Sequence, residues 1–92
     1  MSPTVLQSGP YRFFFFASDR NEPPHVHVRR DAKLAKFWLN PVREAYNYGF
    51  GGRELNRIAA IARENEAALS RAWHEYFDGG DGDRGGQEGP RD

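Results

Sequence analysis

Hydrophobic and polar positions keep a two-residue beat through the first half of this chain and then change to a helical one. The stretch PTVLQSG predicts a short edge strand, with Gly9-Pro10 as a turn. In YRFFFFAS, Tyr11, Phe13 and Phe15 share one face and Phe14 and Phe16 the other, which suits a central strand buried on both sides. DRNEPP reads as a loop, because Pro23 and Pro24 have no N–H to give a ladder. HVHVRR and LAKFWLN both alternate, and the short DAK between them predicts an antiparallel hairpin. With Asp31 and Ala32 as a two-residue loop, His27 falls opposite Lys36 and His25 opposite Trp38, while Val28 faces Ala35 and Val26 faces Phe37. One side of the hairpin is then apolar, and the other carries His25, His27, Arg29, Lys36 and Trp38.

The segment from Val42 to Tyr46, opened by Pro41, suits one more strand. After glycines 49, 51 and 52, Leu55, Ile58, Ala59 and Ala62 form one apolar stripe and Leu69, Trp73, Tyr76 and Phe77 another. Polar Asn65 and Glu66 interrupt the stripe. Two helices over 53–63 and 66–77 are expected, or one helix kinked near Asn65, with Asn65 as an N-cap. The end AWHEYF is expected to dock on the sheet. The whole predicts an α+β domain over residues 3–77: an N-terminal antiparallel sheet of four or five strands followed by two C-terminal helices packed on one face.

Size agrees with a single domain, since 92 residues with seven Phe, four Tyr and two Trp can build one small core. No run approaches the length of a membrane span, and the first residues lack the pattern of a secretion signal, so a cytoplasmic protein away from membranes is expected. The absence of cysteine excludes disulfides, a thiol nucleophile and cysteine zinc sites. Net charge is zero, but residues 78–92 hold five acids and two bases, leaving eight acids and eleven bases in residues 1–77. The body is thus mildly basic, compatible with RNA, and the Gly-rich acidic tail is expected to be disordered.

Candidate chemistry centres on EPPHVHVRR. Two histidines at i and i+2 on a strand stand roughly 6.6 Å apart on one face and could share a metal ion. A third ligand would come from Glu22, Asp19 or His74, none at a spacing that compels it, so no metal and no cofactor are expected. A metal-free site needs only His25 and His27 as acid and base with Arg29 to stabilise charge, and RNA supplies its own 2′-OH nucleophile. Arg12, Lys36 and Trp38 would complete a nucleic-acid or partner face, Trp38 as a platform for an unstacked base. The same alternation also suits an ordinary half-solvated sheet. His74 and the charged residues Arg53, Glu54, Arg57, Arg63 and Glu64 suit exposed helix positions.

GPYRFFFFASDRNEPPHVHVRR, AKFWL and the series running from Gly49 through RAWHEYF resemble a small bacterial family catalogued as domain of unknown function 4160, from about Pro3 to Phe77. The resemblance implies a toxin-like component of a toxin-antitoxin pair, partnered by a small protein encoded nearby; self-association is left open. His25 and His27 match the family's most specific motif. The leading expectation is RNA engagement, with ribonuclease chemistry as its enzymatic form; the alternatives are a non-catalytic binding module and a metal-dependent hydrolase.

Overall fold

The computed structural model describes residues 4–79, so the expected tail beyond them lies outside the described residues. One antiparallel sheet runs in chain order: β1 (Thr4–Ser8), β2 (Tyr11–Phe14), β3 (His25–Arg30), β4 (Lys33–Trp38) and β5 (Arg43–Tyr48). Helices α1 (Gly52–Glu64) and α2 (Glu66–His74) follow, then one π-type turn, Glu75–Gly79. The α+β order read from the sequence is the order observed. None of the described helices is long and apolar enough to cross a membrane.

The β3–β4 register pairs His25 with Trp38, Val26 with Phe37, His27 with Lys36 and Val28 with Ala35. The two-residue loop works because Asp31 takes a left-handed φ of 57°, which Asp tolerates better than branched residues do. Tyr11, Phe13, Phe15, Val26, Val28, Ala35 and Phe37 form the inner face, packed in one core with Ile58, Ala62, Leu69, Trp73 and Phe77 from the helical part. Phe13 against Val28 and Phe14 against His27 carry the same alternation into β2.

Three local features differ from the periodic reading. The last strand is Arg43–Tyr48, and its pairing with β4 shifts at a bulge, where Lys36 pairs with Tyr46 but Phe37 with Glu44, leaving Ala45 of β5 as the extra residue. Asn65 separates the helices but does not cap α2 with its side chain; its amide instead donates to the Ile61 carbonyl at 2.8 Å and closes the end of α1. Tyr76 is 39% exposed, because the wider turn from Glu75 changes the angular phase of the stripe.

Candidate functional site: a buried carboxylate between two imidazoles

His25, His27 and Arg29 occupy the outer face of β3, as strand parity requires. Only Arg29 is exposed: His25 keeps 0% and His27 3% of its accessible surface. The chain between β2 and β3 folds back to cover them. After Phe16 it forms a short 3-10 turn, Ala17–Asn21, fixed where the Asp19 carboxylate accepts the Phe16 N–H at 2.8 Å. Arg20 ties the same turn to the π-type turn after α2 by donating to the Phe77 carbonyl at 3.2 Å. Pro23 and Pro24 then lead into β3, and the Pro23 carbonyl accepts from His25 Nδ1 at 2.9 Å.

This return brings Asp19, itself 7% exposed, onto both histidines. Its Oδ2 lies 3.1 Å from His25 Nε2 and 3.2 Å from His27 Nε2. One ligand atom from each of the three residues lies within 4.8 Å of the others. Aromatic rings wall the group. His27 stacks on Phe14 at 5.6 Å and meets the edge of Phe16 at 4.5 Å, while His25 touches Trp38 at 5.6 Å and Trp73 of α2 at 4.9 Å. Burial pushes the His27 imidazole below its ordinary pKa, with the Asp19 charge opposing. The Tyr46 hydroxyl, raised in pKa chiefly by burial, stands 3.5 Å from His27 Nδ1.

The remaining residues expected at the site lie around this centre. Arg12 and Arg29 place their guanidinium groups 4.7 and 5.9 Å from the Phe14 ring centroid. Lys36 sits over Trp38 at 4.5 Å and is paired with Glu22 at 2.6 Å. Half-buried Trp38 lines a surface concavity with Pro23, Pro24, Leu39, Asn40 and Arg43. Glu22 approaches His25 Nδ1 only to 3.7 Å, and His74 lies exposed on α2. Asp19 is therefore the acid that joins the histidine pair. Sequence spacing left it among three candidates; Tyr46 and the Phe14–Phe16 wall gave no signal beyond apolar alternation.

A family model described as Domain of unknown function (DUF4160) matches residues 11–74, more than half the chain and all of the site. Neither the curated proteins nor the solved structures gave a match.

Proposed function

The chain belongs to that family, and from this premise we propose that it is a toxin-like component of a bacterial two-gene pair that engages RNA through its outer sheet face. The observation carrying this reading is the grouping of cations with a stacking ring on that face: Arg12, Arg29 and Arg43 accompany half-buried Trp38 around the covered histidines. Cations meet phosphates irrespective of sequence, and an indole accepts any unstacked base.

Engagement suits the geometry better than cleavage. A general acid or base must come within hydrogen-bond reach of the proton it moves, and His25 and His27 are buried. A nuclease form of this reading requires the Ala17–Asn21 turn to open; a binding form does not. The test is induction in a bacterial host together with RNA binding by the purified chain. Growth arrest that Arg29→Ala weakens, with parallel loss of RNA affinity and an unchanged circular-dichroism spectrum, supports the proposal. Arrest and affinity both unchanged in Arg29→Ala combined with Arg12→Ala would sink it.

A protein-binding module is the second reading, favoured by the edge strand β5. There Tyr48 is 64% exposed beside Tyr46, with ring centroids 4.9 Å apart, and an edge strand can accept a strand from another chain. Co-expression with the neighbouring gene product separates the readings: a tight complex disrupted by Tyr48→Asp, with no RNA affinity in the unbound protein, favours the module.

A further inference from the structure

We propose that Asp19, His25 and His27 bind one divalent first-row transition metal ion of the zinc, cobalt or iron type, through Asp19 Oδ2 and the two imidazole Nε2 atoms. The inference goes beyond RNA engagement and stands whether or not RNA is the ligand of the outer face.

Hydrogen positions in the cluster are limited by their partners. The Pro23 carbonyl can only accept, so His25 Nδ1 carries a proton. In the neutral ring Nε2 is then a bare lone pair, and it lies 3.1 Å from a carboxylate oxygen that is also an acceptor. Two acceptors held this close in a buried place repel one another unless positive charge lies between them. A second proton on Nε2 meets the need poorly, because this buried atom makes no hydrogen bond, with Asp19 or with any other described residue. At 3.1 Å the distance to Oδ2 would permit a hydrogen bond, so it is the direction of the N–H that fails.

A metal ion accounts for that misalignment. An imidazole ligand aims at the ion rather than at the neighbouring ligand atom. With metal–ligand bonds of about 2.0–2.2 Å, the separations of 3.1 and 3.2 Å subtend roughly 100° at the ion, between the octahedral and tetrahedral angles, while the two imidazole nitrogens, which lie within 4.8 Å of each other, must stand closer than about 4.4 Å for both to bind it, so binding draws the two rings together. Two imidazoles and one carboxylate favour such ions over magnesium or calcium, and three protein ligands leave at least one position open. Outer partners are already in place: the Pro23 carbonyl holds the His25 tautomer, the Phe16 N–H holds the carboxylate, and the Tyr46 hydroxyl faces His27 Nδ1.

The test uses the full chain purified without a histidine tag, stripped with a chelator and titrated with Co2+ and then Zn2+. One equivalent of cobalt per chain is expected, with visible absorption of a low-symmetry site that zinc displaces. Asp19→Asn and His27→Gln, which keep side-chain size, should each weaken binding by more than the tenfold to hundredfold typical of losing an outer partner, and Tyr46→Phe by about tenfold. Glu22→Gln and His74→Gln should bind as the wild type does. Wild-type protein that is folded by near-ultraviolet circular dichroism yet takes up no stoichiometric metal overturns the proposal and assigns the centre to a proton. So does Asp19→Asn binding metal undiminished, or binding lost in His74→Gln. RNA affinity is measured separately on the metal-stripped chain, so neither idea falls with the other.

Discussion

Glu54 lies on a helix position that periodicity assigns to solvent, yet it fastens α1 to the sheet. Arg30 donates to it through Nε at 2.6 Å and Nη2 at 3.0 Å, the Tyr11 hydroxyl donates at 2.9 Å, and Lys33 stands 3.6 Å away. The Arg30 hydrogen bonds lead in holding its pKa at about 2, against an ordinary 4.5. A carboxyl group whose pKa is lowered by folding contributes fully above its unfolded value, and the contribution is lost as pH falls from about 4.5 towards 2. Melting temperature measured across that window should fall less steeply in Glu54→Gln than in the wild type, and Glu54→Gln should melt lower at pH 7. Equal acid slopes would show that Glu54 is not the titrating anchor. Its partners lie 24 and 43 residues away in sequence, beyond any local pattern. The same holds for Asp19: parity placed both histidines on one face because alternation is local, but their covering depends on how the intervening turn folds back.

Elements were legible where one period persisted over a whole segment, as in the β3–β4 hairpin, whose pairing followed from alternation and a two-residue loop. They were blurred where backbone hydrogen bonding departs from the regular ladder: the bulge in β5, the 3-10 turn and the π-type turn. Asn65 shows how a residue type can be right and its role different. Its amide satisfies a carbonyl at the end of α1, so Asn65→Ala should cost about 0.5–1.5 kcal/mol, read by urea denaturation. Gly49, after β5, should be less tolerant. Its φ is 107°, and an added Cβ would come within 3.0 Å of Lys33 Cγ, so Gly49→Ala combines backbone strain of about 1–3 kcal/mol with a contact that Lys33 must relieve. Gly49→Ala no less stable than Asn65→Ala would contradict this ordering.

At the scale of the molecule the inner face and the helices hold the fold, and the outer face carries a polar centre that Trp73 of α2 helps to cover and that cations ring. Charge is uneven along the sequence, with a mildly basic body and an acidic C-terminal segment. If phosphates meet Arg12, Arg29 and Arg43, about three counterions leave a single-stranded RNA, and the logarithm of affinity should fall with that of salt concentration at a slope near −2. Arg29→Ala should reduce that slope by about 0.7 and weaken binding alike for unrelated sequences. Lys36 counts less in this sum because Glu22 neutralises it at 2.6 Å; Glu22→Gln should therefore tighten RNA binding and steepen the slope. Filter binding on a short unstructured oligonucleotide across a salt series reads all three values. A salt-independent affinity, or one slope shared by the wild type and both variants, would mean that these cations do not face phosphate, and would leave the β5 edge as the surface on which a partner protein docks.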